Sequence, residues 1–514
     1  MSTPAEPPED GRVRRDKRGP ARADRPADGE RYDAIIVGAG MAGLAAGIRL
    51  AQYKERVLIL ERHALWGGLN SFYKRRGRVM DVGLHALTNY APKGRRGVPL
   101  TKLLRQLRLA HADLKLGEQT FSEIAFPSET LRFSNDFALF ESEVARAFPG
   151  EVDAFRALTE EVMGYDSFSP PDPSLLTRAK LEAHFSEPLL VEMLMLPMCY
   201  YGSAVPNDIA WYQFAILFKS FFDEGFARPE GGIRPLLQVL TQRYKDLGGQ
   251  LVMRCGVERV LRDGERAIGV ATDDGRELFA DQVFSSAGSA RTLALAGEAT
   301  EPADHGQLSF TETMVITERL PSAFDVPAEA RGHGATIVFF NADERFHYDV
   351  PPLDAPLGID TRSGVICCPN AYAAEGPLAA GWGDDEGALR YTALANADFW
   401  RAFDRSSEAG EAAYLAAKQT ASEALIDRAS RFAPDPRPYE IDRDAFTPRT
   451  IEHFTGHARG AVYGAPKKHL DGQTPLEDLY LIGTDQGLLG VVGAMLSGIS
   501  IANRYGLRPS ASTP

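Results

Sequence analysis

The sequence predicts a mixed α/β fold built around a parallel sheet. Two short apolar runs, residues 34–37 and 57–60, flank a helical pattern over residues 41–53, and the first run ends in glycines. Short apolar runs that stop at glycines are typical of strands buried on both faces of a parallel sheet. Strand, glycine turn, helix and strand within roughly thirty residues form a βαβ unit. A related pattern closes the chain, where residues 479–505 are predicted as a strand, a glycine-rich loop and a helix.

Composition limits the classes of function. The chain has 514 residues, with 57 basic and 70 acidic side chains and a formal net charge of -13. At about 100–200 residues per domain, this length predicts more than one domain. A nucleic-acid binder concentrates Lys and Arg to neutralise phosphates, so the acidic balance argues against nucleic acid as a partner.

Cysteine usage and the amino-terminal residues predict a location. Four cysteines form neither a disulfide framework nor a metal-ligand spacing, and His453 and His457 have no accompanying acid ligand, so no metal site is predicted. The sequence contains no run of about 18 apolar residues, so no transmembrane helix is predicted. Residues 1–30 lack the apolar core of a signal peptide and are predicted as a disordered tail. We therefore expect a cytoplasmic protein.

The first βα turn has the residue pattern of a dinucleotide site. Gly38, Gly40 and Gly43 form a G-x-G-x-x-G sequence. The first glycine permits a tight turn, the second lets a pyrophosphate approach the backbone, and the third allows close packing of helix on strand. Glu61 ends the second strand, eighteen residues after Gly43, near the spacing expected for an acid that binds ribose hydroxyls. A purely structural glycine turn is the alternative, and the strand, helix and acid together disfavour it.

A second glycine pair, Gly67 and Gly68, follows Glu61 by six residues and would let another backbone segment close over the pyrophosphate. With this pair the sequence resembles FAD-binding flavoproteins of the amine oxidase and phytoene desaturase superfamily, where the pair favours FAD over NAD. The resemblance implies a Rossmann-like FAD-binding domain of the glutathione reductase type, with Arg62 among the cofactor-binding residues. Many members carry Arg after the glycine pair, where this chain has Leu69.

The segment Asp81, Gly83, His85 resembles the Asp-x-Gly-x-His element of the retinol saturase and carotenoid isomerase branch of that superfamily. Members of this branch often lack the Arg after the glycine pair, so Leu69 agrees with the assignment. In those relatives the loop lies close to the flavin ring, which implies that His85 hydrogen-bonds flavin or orients substrate. A packed histidine satisfied by backbone is the alternative.

The middle of the chain alternates between helical and sheet patterns. Residues 98–230 are predicted as mainly helical, residues 306–370 as a sheet and residues 385–433 as helical again. Between the first two, glycines at 231–232 introduce a predicted helix over residues 234–247, followed by short β-like segments.

Weaker motifs in the middle of the chain extend the resemblance. Val257 follows a predicted strand and matches the family segment that meets the adenine ring through its backbone. Further matches lie at residues 229–232, 286–288, 446–450 and 460–464. Each is weak alone, but their order along the chain supports the assignment over residues 32–505.

The carboxy-terminal strand leads into an acid, Asp485, and a glycine loop that opens a helix. An acid there can accept a hydrogen bond from a ribityl hydroxyl, and a helix amino terminus can stabilise negative charge on a reduced flavin. The segment resembles the carboxy-terminal flavin element of the same branch. This implies that Asp485 holds the ribityl chain and that flavin contacts come from Gly490, Val492, Gly493 and Ala494. The alternative is a glycine-packed helix without a ligand.

Residues 189–222 are the most apolar part of the middle region. Ordinary core packing is one interpretation, and a long apolar substrate tunnel whose mouth touches a bilayer is the other. The polyene substrates of the family occur in membranes, so an apolar small-molecule substrate and peripheral contact with the cytoplasmic face of a membrane are expected.

The motif order predicts two domains threaded through each other after the tail. An α+β substrate domain is interleaved with the FAD-binding domain. The predicted FAD-binding segments are residues 31–97, 231–300 and 430–508, and the predicted substrate-domain segments are residues 98–230 and 301–429.

The resemblance implies an FAD-dependent oxidoreductase that acts on carbon–carbon bonds of a long isoprenoid, such as a carotenoid or retinoid. Desaturation, saturation and isomerisation stay open, because no residue pattern identifies the electron donor or acceptor. A flavin amine oxidase is one alternative and predicts an aromatic cage before the flavin. A non-catalytic, prenyl-binding escort protein on the same fold is another, and the glycine elements together with Asp485 argue against it.

Overall fold

The computed structural model describes residues 25–165, 172–373 and 377–507. Residues 1–24 of the predicted tail and residue 508 lie outside this range. Residues 25–30 do not behave as part of a disordered tail, because they lie against a sheet. Arg25 pairs with Asp274 there, and Arg276 donates a hydrogen bond of 2.6 Å to the carbonyl of Pro26.

The described residues form two large sheets and two small ones. The strands are Arg31–Val37 (β1), Val57–Glu61 (β2), Phe72–Arg75 (β3), Arg78–Asp81 (β4), Leu116–Glu118 (β5), Ser122–Ala125 (β6), Thr130–Phe133 (β7), Ala227–Pro229 (β8), Gln250–Met253 (β9), Val257–Asp263 (β10), Arg266–Thr272 (β11), Glu277–Ser285 (β12), Ser309–Thr317 (β13), Ile337–Asn341 (β14), Ser363–Cys367 (β15), Gly387–Ala395 (β16), Glu440–Phe446 (β17) and Leu479–Leu481 (β18). The predicted mixed α/β class is confirmed.

Helices cover the sheets. They are Met41–Ala51 (α1), Pro99–Leu107 (α2), Phe137–Ala147 (α3), Val152–Gly164 (α4), Thr177–His184 (α5), Pro188–Gly202 (α6), Trp211–Phe218 (α7), Ile233–Asp246 (α8), Ser289–Leu295 (α9), Ala397–Arg401 (α10), Glu408–Ala429 (α11), Pro448–Thr455 (α12) and Gly490–Ile501 (α13).

The first large sheet has a parallel centre. β2 and β12 flank β1 in parallel, and β9 and β18 extend the parallel part on its two sides, whereas β10 and β11 are antiparallel. α1 connects β1 to β2 and packs against α8 and α13. Because the carboxyl ends of parallel strands meet at one edge, the loops after β1, β2, β12 and β18 lie together, where open α/β sheets bind ligands.

The second large sheet is antiparallel except where β6 pairs with β14, and its order is β17, β13, β16, β15, β14, β6, β7. Its central strands are buried on both faces. In β14, Val338 and Phe340 pack towards α11, while Ile337 and Phe339 pack towards α3, α6 and α7. Such alternation follows from the two-residue repeat of a strand.

The two sheets draw their strands from interleaved segments of the chain, which supports the threaded arrangement of two domains as a proposal. The predicted boundary at residue 430 does not follow the strand pairing. β17 pairs with β13 of the second sheet, and the chain rejoins the first sheet only at β18.

The helix predicted over residues 385–433 is wrong in its first part. All nine residues of β16 are buried, and the strand pairs with β13 on one side and β15 on the other. Its alanines and leucines favour a helix locally, but packing on both faces and pairing at both edges outweigh that preference. β6 and β7 likewise lie within a region predicted as mainly helical.

Residues 189–222 form core rather than a membrane surface. Every one of them is buried or half-buried. α6 is apolar on all sides, as a fully buried helix is, except at Glu192, which pairs with Arg178 at 2.9 Å. From this stretch only Tyr200 and Tyr201 line the large cavity described below. The core-packing interpretation therefore applies, and the stretch offers no exposed apolar face to a bilayer.

No helix within the described ranges has both the length and the apolar character needed to cross a membrane.

Candidate active site

A cavity of about 2790 Å³ is lined by the loops that follow the parallel strands of the first sheet and by residues of the second sheet. Pockets that hold one small ligand typically measure about 300–1,000 Å³. The cavity therefore has room for a dinucleotide and a second ligand.

Two glycine segments face each other at the amino terminus of α1. The Gly67 N–H donates a hydrogen bond of 2.9 Å to the carbonyl of Ala39. A Cβ added to Gly40 would meet no protein atom closer than the Cα of Gly68, at 3.9 Å. Packing alone does not require glycine at position 40, so the open space in front of it suits a ligand. No side chain caps α1, which leaves the N–H groups of its first turn for a diphosphate.

The other two glycines of the motif serve the turn itself. Gly38 has a φ of 97°, and a Cβ there would lie 2.4 Å from the hydroxyl oxygen of Ser286. A Cβ on Gly43 would lie 2.0 Å from the carbonyl oxygen of Gly38. Gly38 lines the cavity and Gly43 does not. The three glycines therefore differ in their surroundings in the way expected for a dinucleotide-binding turn.

Glu61 lies at the carboxyl end of β2, in the cavity wall. Its carboxylate accepts hydrogen bonds of 2.9 Å from the N–H groups of Ala39 and His63, which tie it to both loops. Burial raises the pKa of Glu61. A carboxylate has about four lone-pair sites, so two accepted bonds leave capacity for ribose hydroxyls.

Arg62 and Val257 also line the cavity. The Arg62 guanidinium donates a hydrogen bond of 2.8 Å to the carbonyl of His453, which joins the loop after β2 to α12. Burial, aided by the charge of Arg62, lowers the pKa of His63 to about 4, so this neighbouring ring is neutral at pH 7.

Thr484, not Asp485, reaches the cavity after β18. Asp485 is 4% exposed, and its carboxylate accepts hydrogen bonds from the N–H groups of Ser289 at 2.6 Å and Ala465 at 2.7 Å. The ammonium of Lys468 lies 3.7 Å from the same carboxylate. Unlike Glu61, Asp485 does not line the cavity, and a turn of its carboxylate towards a ribityl chain would break the bonds to Ser289 and Ala465. The geometry does not support the ribityl contact expected of Asp485.

The start of α13 forms another part of the wall. Gly490 and Ala494 line the cavity together with Val491, whereas Val492 and Gly493 do not. At about 3.6 residues per turn, Gly490, Val491 and Ala494 fall within about 100° of the helix circumference, so Val492 and Gly493, for which contacts were expected, face away from the cavity. No side chain caps α13, and its first N–H groups are left for a ligand.

His85 lies in the cavity wall beside the second sheet. Its Nε2 is 2.8 Å from Glu312 Oε2 and 3.4 Å from Thr392 Oγ1. Glu312 and Thr392 are paired across β13 and β16. Two residues along β16, Arg390 Nε donates a hydrogen bond of 2.7 Å to Glu312 Oε1. The imidazole therefore bonds side chains, not only backbone as in the packed-histidine alternative.

Burial and charge set the ionisation of this group. Burial alone would raise the pKa of Glu312, but the Arg390 guanidinium and His85 hold it below its ordinary value. Burial lowers the pKa of His85 although the Glu312 carboxylate opposes the shift. Arg390 is 1% exposed and also donates to the carbonyl of Leu84 at 2.7 Å. At neutral pH the group consists of an ionised Glu312, a charged Arg390 and a neutral His85.

Aromatic and aliphatic side chains form the wall around His85. The ring of Tyr201 lies 6.4 Å from the imidazole, and Tyr200 and Tyr463 lie 5.8 Å from Phe310, measured between ring centroids. Val365, Val462 and Leu489 complete this part of the cavity.

Sequence reasoning missed Glu312, Arg390 and Thr484. The sequence did carry a signal for Glu312 and Arg390, because each is the one charged residue of an otherwise uncharged strand. Fully buried charges are nearly always paired. The partner was not readable, because β16 was predicted as helix and His85 is 227 residues from Glu312. Thr484 carried no signal apart from its place next to Asp485.

Comparison with known proteins identifies the family. Residues 41–401 match the family described as flavin containing amine oxidoreductase, which is more than half of the chain. The chain belongs to this family. It is an FAD-dependent oxidoreductase by class, and the predicted family, enzyme class and FAD cofactor are confirmed.

Curated relatives of the chain include a retinol reductase and a prolycopene isomerase. The all-trans-retinol 13,14-reductase of Danio rerio is 25% identical over 92% of this chain and 85% of its own length. The chloroplastic prolycopene isomerase 1 of an Oncidium hybrid cultivar is 23% identical over 52% of this chain and 50% of its own length. Among solved structures, an oxidoreductase from Methanosarcina mazei covers 91% of this chain with a TM-score of 0.60 and 17% identity, which establishes the fold alone.

Proposed function

We propose that this protein oxidises, reduces or isomerises carbon–carbon bonds of a long, apolar polyene or isoprenoid. The observation that carries the proposal is one continuous cavity that joins the dinucleotide groove to the aromatic and aliphatic wall around His85. The names of the relatives, a retinol reductase and a prolycopene isomerase, support a polyene substrate.

The residues of the cavity fit FAD. Gly40 and Gly68 leave space for the diphosphate, Glu61 has acceptor capacity for the ribose, and Val257 lines the wall expected to meet adenine. Thr484 is the hydroxyl available to the ribityl chain, and the uncapped amino terminus of α13 suits the negative charge of a reduced flavin. When bound, FAD supplies two-electron redox chemistry; the protein supplies orientation, electrostatics and exclusion of water.

An amine oxidase on the same fold is less well supported. Aromatic side chains are present near His85, as an aromatic cage would require. However, the acid in that wall, Glu312, is already paired with Arg390. A protonated amine would therefore find no unpaired anionic side chain at Glu312, and the apolar wall favours a neutral substrate.

Product analysis tests this proposal. The purified holoprotein is incubated anaerobically with a panel of retinoids and linear carotenes, and the products are separated by chromatography. We expect a change in the number or geometry of double bonds for at least one polyene. Turnover of amines without turnover of any polyene would favour the amine oxidase, and a purified protein without flavin absorbance would favour the escort protein.

We further propose that the substrate enters from a lipid surface. Leu65, Leu415 and Phe454 line the cavity and are 40%, 46% and 49% exposed. A side chain that lines a cavity and is this exposed lies where the cavity opens. The opening also carries exposed charges, such as Arg405 and Glu408 beside Leu415. Apolar side chains set among charged ones support peripheral contact with the surface of a bilayer, which residues 189–222 do not.

The double variant Leu415→Asp/Phe454→Asp is expected to lose most of its binding to phosphatidylcholine vesicles. Each new carboxylate would have to enter the bilayer interface where the native apolar side chain makes a favourable contact. Co-sedimentation with vesicles measures the effect, and Leu353→Asp is the matched control because Leu353 is 61% exposed and does not line the cavity. Equal losses in the two proteins, or an unchanged protein that does not sediment with vesicles, would contradict this entry route.

A further inference from the structure

The two nitrogens of the His85 ring differ in their surroundings. Nε2 is engaged by the Glu312 carboxylate and the Thr392 hydroxyl. Nδ1 has no hydrogen-bond partner among the described residues and is not fully enclosed by protein. Since His85 lines the cavity, Nδ1 is the ring nitrogen left for a ligand.

The surroundings of Glu312 decide which nitrogen carries the proton. An ionised carboxylate only accepts hydrogen bonds, so Nε2 must donate, and in the neutral ring the lone pair then lies on Nδ1. Arg390 holds Glu312 in its ionised form. A carboxylate behind an imidazole fixes its tautomer and stabilises its protonated form without taking the proton.

We propose that His85 exchanges the proton of the reaction at Nδ1 and that Glu312 is a positioning residue that fixes the tautomer of His85. This inference rests on the proposed function, since it assigns the proton step of that reaction. His85 is the catalytic residue in this assignment. Glu312 acts only through His85.

The step balances for double-bond formation. The substrate loses two hydrogens and two electrons: one hydrogen leaves with the electron pair of its C–H bond to bound FAD, the oxidant of the family. The other leaves as a proton to His85 Nδ1, and the electron pair of its C–H bond becomes the π bond. His85 then releases the proton to solvent. Saturation is the reverse, in which protonated His85 supplies the proton to carbon.

Several elements present polar groups to His85. The groups are Glu312 from β13, Arg390 and Thr392 from β16, Arg228 from β8 with its partner Asp81 from β4, Tyr201 from α6, and Cys367 and Tyr372, which donate to the carbonyl of His85. Burial and the two guanidinium groups lower the pKa of His85, and the Glu312 carboxylate raises it.

The direction of the pH dependence follows. Below its pKa, His85 is protonated and cannot act as a base, so double-bond formation falls as the pH drops through that pKa. Saturation needs the protonated ring and rises over the same range. Because the Glu312 carboxylate raises the pKa of His85, Glu312→Gln is expected to move this limb of the kcat profile to lower pH. A merely structural role of Glu312 would leave the limb in place.

Long-range ¹H–¹⁵N NMR of apoprotein labelled with [¹⁵N]histidine gives a readout independent of turnover. We expect one histidine, absent from the spectrum of His85→Gln, with its proton on Nε2 at neutral pH and a titration shifted downwards in Glu312→Gln. The matched control is Glu161→Gln, which removes the acid of the exposed pair between Glu161 and His184, 3.3 Å apart. It should not move the His85 titration. A proton on Nδ1 in the unchanged protein would overturn the assignment.

Glu312→Gln removes the ion pair with Arg390 and could fail to fold. His85→Gln keeps that pair, so it tests the proposal in a protein whose buried ion pair is intact. Acid–base groups typically contribute about 10²–10⁴-fold to rates, so we expect kcat to fall by about 100-fold or more while FAD content is unchanged. A kcat within a few-fold of the unchanged protein would overturn the inference and leave the proposed function intact. If the unchanged protein turns over no polyene, the proposed function fails, and the catalytic assignment of His85 fails with it, whatever the tautomer.

Discussion

Gly40→Val weakens FAD binding by about 5- to 150-fold and leaves the apoprotein as stable as before. Gly40 has a φ of -74° and a ψ of 179°, which a β-branched residue adopts without strain. Its Cβ would have no protein atom closer than 3.9 Å, so the branch point itself meets no clash with the fold. The valine methyl groups would instead fill the space in front of Gly68. An overpacked contact costs about 1–3 kcal/mol, which corresponds to this range in Kd.

Titration of the apoprotein with FAD and its thermal unfolding measure the two halves of this prediction. Gly43→Ala is the matched control, because a Cβ there would lie 2.0 Å from the carbonyl oxygen of Gly38. That variant should lower the Tm of the apoprotein, whereas Gly40→Val should not. A Gly40→Val protein that purifies with a full complement of flavin would contradict the diphosphate assignment.

Asp485→Ala lowers the free energy of unfolding of the apoprotein by about 3–5 kcal/mol, the usual cost of breaking a buried ion pair by removing one partner. Two buried N–H groups, of Ser289 and Ala465, would lose their acceptor. Lys468, whose side chain is 4% exposed, would lose its counter-charge. Burial already lowers the pKa of Lys468, and the Asp485 carboxylate opposes that shift.

Denaturant unfolding of the apoprotein measures this cost, and Thr484→Val is the comparison one residue away. Thr484→Val should weaken FAD binding with little change in apoprotein stability, because Thr484 lines the cavity. Asp485→Ala should have the opposite pattern. If Asp485→Ala kept full stability and lost only FAD, the ribityl contact first expected of Asp485 would be correct after all.

Local patterns predicted the dinucleotide half of the fold. The turn from Gly38 to Gly43 and the acid at Glu61 lie within one βαβ unit, where spacing along the chain fixes spacing in space. The turn itself determines which of these residues are buried and which face a ligand. The family resemblance added FAD and the loop that contains His85, and these predictions needed no long-range contact.

The substrate half of the fold and of the site depends on contacts between segments that are distant in the sequence. His85, Glu312 and Arg390 come together only after β13 and β16 have paired, and the local helix preference of β16 concealed that pairing. The orientation of Asp485 was equally hidden. An acid at the end of a strand can turn to a ligand or into the core, and the N–H groups of Ser289 and Ala465 decide the outcome.

The absorbance spectrum of the bound flavin, followed anaerobically as a polyene is added, tests the central claim most directly. We predict that at least one long polyene bleaches the oxidised flavin, or reoxidises the chemically reduced flavin, in step with a shift in its own absorbance; a polyene that is isomerised shifts its own absorbance while the flavin keeps its redox state. A redox change driven by amines alone, with the absorbance of every polyene unchanged in the presence of either flavin state, would contradict the claim.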